Sequence, residues 1–187
     1  ATILDIGAYS SRPGAAEITE EEELERLIPF IKKVIEIYPD VILSVDTFRS
    51  VVAEKAIEAG ACIINDISGG SLDPKMFETV GKLKVPYILM HMRGTPETMQ
   101  SLTEYENLVG DICAYFIDRV EKLRKYGVKD IILDPGFGFS KTISQNYELL
   151  NLFDEFLSLR LPLLGGVSRK SMIYKVLKTN PDQALNG

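Results

Sequence analysis

The feature that most constrains the fold is a regular alternation of short, apolar, β-rich runs with longer segments of helical periodicity. The runs with the length and composition of buried strands are residues 2–6, 41–45, 62–65, 86–90, 131–133 and 162–166. Most are apolar at every position, as strands are when both faces of a sheet are covered. Strands that alternate with helices in this way predict a parallel sheet.

Helix signals fill the segments between these runs. A capping box from Thr19 to Glu22 opens the first helix, and Pro29 inside that helix should kink or split it. Gly60 has the position of a glycine just past a helix end. Further helices are predicted over residues 50–59, 74–83, 104–126, 146–159 and 170–178.

Two closures of a parallel sheet compete, a doubly wound open sheet and a (β/α)8 TIM barrel. No glycine-rich nucleotide-binding motif follows any predicted strand, which disfavours the open sheet. A complete barrel needs ~250 residues. We therefore predict that the 187 residues form a single barrel domain over positions 1–187, with the first and last strands outside this chain.

Composition narrows the function classes. A net charge of −6 disfavours nucleic acid and anionic membranes as partners, although small anionic substrates stay compatible with it. No apolar run approaches the ~20 residues of a membrane span. Cys62 and Cys113 lie in apolar runs without CxxC spacing, so we expect reduced core thiols and a cytoplasmic protein.

Polar residues stand at the C-terminal ends of the predicted strands, where parallel barrels carry their chemistry. A single aspartate there is often only a helix N-cap, and Asp46 is open to that interpretation. A whole row of polar ends is harder to explain by capping and indicates a binding site at the barrel mouth. The row consists of Asp5, Asp46, Asn65-Asp66, His91, Asp134 and Ser168-Arg169-Lys170.

Two carboxylates and an amide around one cavity suit a flat heterocycle with several N–H donors, because a carboxylate accepts two parallel N–H bonds. The glycine-rich loop of residues 134–139 allows backbone close to such a ligand, and Phe139 offers a ring for stacking. Arg12 could bind a carboxylate or a phosphate, and Lys170-Ser171 opens a helix that can bind an anion. For His91, which has no triad or metal partners in the sequence, a packed role is favoured over catalysis.

These residues resemble the dihydropteroate synthase family over essentially the whole chain. The matching blocks, in order and with family-like spacing, are Asp5-Ile6-Gly7, Ser10-Ser11-Arg12-Pro13-Gly14, Ser44-Val45-Asp46-Thr47, Ile64-Asn65-Asp66-Ile67, Met90-His91-Met92, Asp134-Pro135-Gly136-Phe137-Gly138-Phe139 and Ser168-Arg169-Lys170-Ser171. The family is a barrel transferase of folate biosynthesis. It joins 6-hydroxymethyl-7,8-dihydropterin diphosphate to p-aminobenzoate, giving 7,8-dihydropteroate and diphosphate.

The resemblance implies a role for each matched residue. The implied catalytic residues are Asp46, Asp134 and Lys170. The implied pterin-binding residues are Asp46, Asn65, Met90, Asp134, Phe139, Gly166 and Lys170. The implied p-aminobenzoate pocket, which sulfonamide drugs occupy in the family, consists of Ser11, Arg12, Pro13, Phe139, Lys170 and Ser171.

The resemblance also implies Mg²⁺ as cofactor and a homodimer. The family's main metal ligand lies in the loop after its first strand, and its diphosphate-binding Arg and His lie on its last strand, so we expect neither group in this chain. Ala8-Tyr9 stands where many members have Gly-Glu, which leaves the packing of that loop open.

Two other functions are compatible with a pterin-type site. A methyltetrahydrofolate:corrinoid methyltransferase uses similar Asp and Asn side chains, but it has no need of the Arg12-Pro13 loop or of the Ser168-Arg169-Lys170 segment. A non-catalytic pterin-binding module is the alternative from a different class. Diphosphate release in the presence of both substrates distinguishes an enzyme from a binder.

Overall fold

The computed structural model describes residues 1–10 and 16–184. Within them, one parallel sheet has the strand order β1-β2-β3-β4-β5, and every neighbouring pair is parallel. The strands are β1 (Ile3–Ile6), β2 (Ile42–Asp46), β3 (Ile63–Asp66), β4 (Tyr87–Met90) and β5 (Ile131–Asp134). Sequential order with a helical connection between neighbours is the repeated βα unit of a barrel, and the predicted α/β class is confirmed.

Helices connect the strands. They are α1 (Glu20–Ile37), α2 (Ser50–Glu58), α3 (Met76–Leu83), α4 (Leu108–Lys125), α5 (Ile143–Asn151) and α6 (Ser171–Tyr174), with 3₁₀ turns at Met99–Ser101, Phe153–Leu159 and Pro181–Gln183. None of the helices in the described part of the chain has the length and apolarity needed to cross a membrane.

The faces of the sheet follow from the strand period of two. On β2, Leu43 and Val45 are fully buried in the main hydrophobic core, together with Ile64 on β3 and Leu89 on β4. That core also contains α-helical residues such as Ile31, so this is the face that the helices cover. The alternate residues of each strand therefore face the opposite side, the interior of the barrel.

The sixth predicted strand, residues 162–166, is reduced to a single bridge between Leu133 and Leu163. Two hydrogen bonds make this bridge, from Leu133 N to the Pro162 carbonyl and from Leu164 N to the Leu133 carbonyl, both at 2.8 Å. Pro162 has no N–H to donate, and Gly165-Gly166 has low strand propensity, so the ladder does not extend.

Several helix predictions differ from the structure at their ends. The capping box of Thr19 and Glu22 is present, and Gly60 follows α2 with a φ of +114°. Helix α4 starts at Leu108 instead of 104, because the Asn107 side chain caps it by accepting from Gly110 N. The predicted helix 146–159 is two elements, α5 and a 3₁₀ turn, and the predicted helix 170–178 is only α6.

Two other expectations are corrected in part. Of the two effects predicted for Pro29, a kink or a split, the split is excluded, because α1 runs unbroken from Glu20 to Ile37. Cys62 is exposed and not a core residue, because it precedes β3 and lies outside the buried part of the strand. Both Cys62 and Cys113 are free thiols.

Candidate active site

Strand register brings most of the polar strand ends to one face. Asp46 pairs with Asn65, and Met90 pairs with Asp134, so each pair projects from the same side of the sheet. Asn65 is level with Ile88, which shares a face with Met90 two residues later. Asn65 Nδ2 also donates to Asp5 Oδ2 at 2.9 Å, which adds Asp5 to the group. Carboxylates and an amide thus line the interior rim of neighbouring strands.

Asp66, also at the end of β3, faces the helices instead. Asp66 follows Asn65 directly and must point to the opposite side. It is fully buried and accepts hydrogen bonds from Ser68 N, Ser68 Oγ, Gly70 N and Tyr87 Oη at 2.7–2.9 Å. Burial raises its pKa, while these donors oppose the rise. Asp66 is therefore a structural residue that shapes the turn after β3.

Asp46 is not a helix cap. Helix α2 begins at Ser50, whose N–H donates to Asp73 Oδ2 at 2.7 Å, and the Asp46 carboxylate is left for the barrel interior. Burial, together with the nearby carboxylates of Asp5, Asp66 and Glu23, raises the pKa of Asp46 to about 7. Such a group changes its charge near neutral pH.

Asp134 is joined to the glycine-rich loop that follows β5. Its Oδ1 accepts from Gly136 N at 2.8 Å. Burial raises the pKa of Asp134, and the Gly136 N–H and the Lys170 and Lys141 charges oppose that rise. Gly136 has a φ of +72°, and a Cβ there would lie 2.2 Å from the His91 carbonyl oxygen. Only glycine lets this loop pass so close to the end of β4.

Lys170 and Phe139 both line a cavity of ≈ 790 Å³. The Lys170 amine donates to the Phe137 carbonyl and lies 4.8 Å from the centroid of the Phe139 ring. Burial lowers the pKa of Lys170, and Asp134 opposes this. The rest of the cavity lining comes from the glycine-rich loop, the segment around Lys170 and two 3₁₀ turns. These residues are Met99, Gln100, Phe137, Gly138, Ser168, Arg169, Ser171, Tyr174, Pro181 and Asp182.

The structure therefore brings Phe139, Lys170 and Ser171, three of the predicted p-aminobenzoate residues, to one cavity. Ser11, Arg12 and Pro13, the other three, lie outside the described residues. Phe139 also packs against a small apolar cluster that contains buried Met90. Two of the predicted pterin-stacking side chains thus adjoin the same cluster.

Two adjacent glycines face opposite sides of the bridge segment. A Cβ on Gly165 would contact the Phe153 and Phe137 rings at 3.4 and 3.6 Å, on the helix side. A Cβ on Gly166 would meet no heavy atom of the described residues within 4 Å. Leu163 is level with Leu133, so alternation along the segment predicts that this open space lies on the face of the polar rim.

Lys141 and Asn146, which no sequence pattern marks as functional, support the glycine-rich loop. Lys141 is only 5% exposed, and its Nζ contacts His91 Nδ1 at 3.2 Å. Burial lowers the pKa of Lys141 to about 7 and that of His91 to about 2. The His91 ring also packs edge-on against Tyr115 at 4.9 Å, which confirms its packed role. Lysine is normally exposed, so no sequence signal marked this burial.

The chain is similar in sequence to a family of pterin-binding enzymes and to proteins of folate synthesis. Residues 1–186 match the family model described as pterin binding enzyme. The chain is 48% identical over 179 residues to the dihydropteroate synthase of Synechocystis sp., covering 95% of this chain and 62% of that protein. It is 52% identical over 180 residues to the folic acid synthesis protein fol1 of Pneumocystis carinii, covering 91% of this chain and 24% of that protein.

A solved structure agrees with these sequence matches. The Yersinia pestis dihydropteroate synthase, in a sulfonamide drug complex, superposes with a TM-score of 0.94 at 42% identity. The match covers 98% of this chain and 66% of that one. This likeness confirms the barrel class of the fold, and the chain spans less than two thirds of the length of these relatives.

Proposed function

Because the chain belongs to the family of pterin-binding enzymes, we propose that it carries the pterin site of a dihydropteroate synthase. The reaction joins 6-hydroxymethyl-7,8-dihydropterin diphosphate to p-aminobenzoate, forming 7,8-dihydropteroate and diphosphate for folate biosynthesis. The single observation that carries the proposal is the rim of inward-facing polar side chains, in which Asp46 is level with Asn65 and Asp134 is level with Met90.

This rim matches the edge of a pterin. A pterin ring presents a guanidine-like edge of parallel N–H donors and a ring carbonyl. Asp134 keeps one oxygen on Gly136 N, and its remaining lone pairs accept from the ring edge. Asp46 and Asn65 hydrogen-bond to the other ring nitrogens, and Lys170 donates to the ring carbonyl. Met90 and Phe139 pack on the ring faces, with Gly166 leaving room for the ring.

The chemistry proposed for this rim is substitution at the pterin methylene. The bond from carbon to the diphosphate oxygen breaks first, and diphosphate leaves with the electron pair. The cation is delocalised into the ring, where the fixed carboxylates of Asp46 and Asp134 stabilise it in a site of low dielectric constant. The amine lone pair of p-aminobenzoate then forms the C–N bond, and the nitrogen releases a proton to solvent.

The cavity around Lys170 is the proposed p-aminobenzoate pocket. Support comes from its lining, in which Phe139 offers a ring to the aromatic acid and Ser171 starts a helix. Lys170 and Arg169 supply positive charge for the carboxylate. Ser11, Arg12 and Pro13 belong to this proposal by resemblance alone, as does the expectation that sulfonamides bind here.

Magnesium also remains a proposal. Within residues 1–10 and 16–184, no three His, Cys, Asp or Glu side chains are grouped so as to hold a metal ion. The proposed ion therefore rests on the family resemblance alone, and no step is assigned to it. A homodimer and a cytoplasmic location are further parts of the proposal, the second supported by the free thiols of Cys62 and Cys113.

The first test is the removal of the bidentate acceptor. In the full protein, Asp134→Ala should abolish binding of 6-hydroxymethylpterin, measured by isothermal titration calorimetry. Loss of hydrogen bonds to a charged group at about 1.5–3 kcal/mol each gives a weakening of at least ten- to hundredfold. Asp118→Ala, an exposed change on α4, serves as the matched control. Near-normal affinity in Asp134→Ala contradicts the assignment.

The second test separates the candidate activities. Release of diphosphate only when both substrates are present supports the synthase. Pterin binding without diphosphate release supports a binding module, and methyl transfer from a methylated folate to a corrinoid supports the methyltransferase.

A further inference from the structure

The side chain of Lys141 is buried with a complete set of hydrogen-bond acceptors. Its Nζ lies 3.0 Å from the Gly136 carbonyl oxygen, 2.9 Å from the Phe139 carbonyl oxygen and 3.2 Å from His91 Nδ1. In its charged form this amine has three N–H donors, which match the three acceptors when the His91 ring proton is on Nε2 and Nδ1 accepts.

These contacts fix residues 136–139, the second part of the glycine-rich loop. Lys141 donates to the carbonyls of Gly136 and Phe139 at the two ends of this segment, and Asn146 Oδ1 accepts from Gly138 N at 2.6 Å between them. Asn146 Nδ2 in turn donates to the Lys141 carbonyl at 3.3 Å. Gly136 and Gly138 have φ values of +72° and +84°, a backbone without stiffness of its own. The buried side chains therefore supply the rigidity that the loop sequence lacks.

The loop so fixed sets the orientation of two groups of the candidate site. Lys141 holds the carbonyl of Gly136, and the N–H of Gly136 holds Asp134 Oδ1 at 2.8 Å. Lys141 also holds the carbonyl of Phe139, whose ring lies beside the Lys170 amine. The Lys141 amine is thus linked through Gly136 to the Asp134 carboxylate, and through the Phe139 backbone to the Phe139 ring.

We infer that Lys141 is a positioning residue, which fixes the Asp134 carboxylate and the Phe139 ring through the glycine-rich loop. The inference rests on the proposed function, since it concerns the same pterin site. Lys141 does not act on the substrate, because it is 5% exposed and all its donors are engaged within the protein. His91 contacts the Lys141 amine through Nδ1 and so helps to hold Lys141 in place.

The first experiment replaces Lys141 by Met in the full protein, which keeps an unbranched side chain one atom shorter and removes the amine. We expect 6-hydroxymethylpterin to bind about 10- to 100-fold more weakly by calorimetry, because the loss of one well-placed hydrogen bond to a charged group such as Asp134 has an effect of that size. Tyr87→Phe is the control for lost stability alone, since it removes a buried hydrogen bond to Asp66 on the helix side and leaves the loop intact. Unchanged affinity in Lys141→Met overturns the inference.

A double-mutant cycle distinguishes positioning from general destabilisation. If Lys141 acts through Asp134, the losses from Lys141→Met and Asp134→Asn will not add, whereas independent effects will add. Strict additivity contradicts the proposed link.

A pair of variants at His91 tests the contact between His91 Nδ1 and the Lys141 amine. In His91→Asn the amide oxygen takes a position close to that of Nδ1, so the acceptor is retained and the affinity should stay within about threefold of the unmodified protein. His91→Leu removes the acceptor and should weaken binding by about the amount of one hydrogen bond to a charged group, at least tenfold. Equal effects of the two variants would exclude the role of Nδ1.

A measurement without ligand keeps this inference separate from the proposed function. The amide resonances of Gly136, Gly138 and Phe139 should shift, and their hydrogen exchange should accelerate, in Lys141→Met but not in Tyr87→Phe. Failure of the unmodified protein to bind any pterin would refute the proposed function alone. Unaltered loop amides in Lys141→Met would refute the positioning role, whatever the protein binds.

Discussion

Gly166 offers the sharpest test of where the pterin ring lies. A Cβ at this position meets no heavy atom of residues 1–10 or 16–184 within 4 Å, so Gly166→Ala and Gly166→Val add atoms to space that these residues leave open. The fold should not suffer. Replacing a glycine whose φ suits other residues restricts the unfolded chain and stabilises the protein by about 0.4–1 kcal/mol.

For pterin binding the expected effect is a loss of affinity. The added methyl groups of Gly166→Val occupy the space assigned to the ring, and overfilling a packed site costs about 1–3 kcal/mol. That cost corresponds to about 5- to 160-fold weaker binding. The assay is calorimetric titration with 6-hydroxymethylpterin, together with the free energy of unfolding in urea for each variant.

Gly165→Ala is the matched control for this prediction. Its Cβ would lie in ordinary contact with the Phe153 and Phe137 rings, on the helix side of the same segment. Its affinity for the pterin should equal that of the unmodified protein. Equal affinity in Gly166→Val, or an equal loss in Gly165→Ala and Gly166→Ala, would refute the assignment of the ring to this face.

Two further predictions concern buried carboxylates. The pKa of Asp46 is raised to about 7 by burial and by Asp5, Asp66 and Glu23, so pterin affinity should rise as pH passes through that value and Asp46 ionises, whereas Asp46→Asn should lack this step. The pKa of Asp46 is higher in the folded protein than the unfolded value of 3.8. The stability that Asp46 contributes is therefore fully present below pH 3.8 and is lost as pH rises through about 7. Urea unfolding of the unmodified protein and of Asp46→Asn at several pH values measures this loss. Tyr87→Phe should lower the free energy of unfolding by about 1.5–3 kcal/mol, because the buried Asp66 loses a donor, with no change in pterin affinity. Unfolding free energies that match within error would contradict it.

The sequence by itself determined the class of fold and the edge of the sheet, at the C-terminal ends of the strands, that carries the chemistry. Apolar runs alternating with helical periodicity predict a parallel sheet, and a capping box such as that of Thr19 and Glu22 acts within one turn of chain. The strand period also dictates that Asn65 and Asp66 face opposite sides. These signals are local, so a linear pattern carries them.

Tertiary structure alone decided which of those neighbours faces the barrel interior and which groups support it. Asp66 is identified as structural only when Tyr87, 21 residues away, donates to it. The burial of Lys141 depends on His91, 50 residues away, and Asn65 meets Asp5 across 60 residues. A lysine is exposed by default, and only acceptors from distant parts of the chain can offset the loss of its hydration. The rim of polar strand ends could therefore be predicted, whereas the buried network that holds it in place could not.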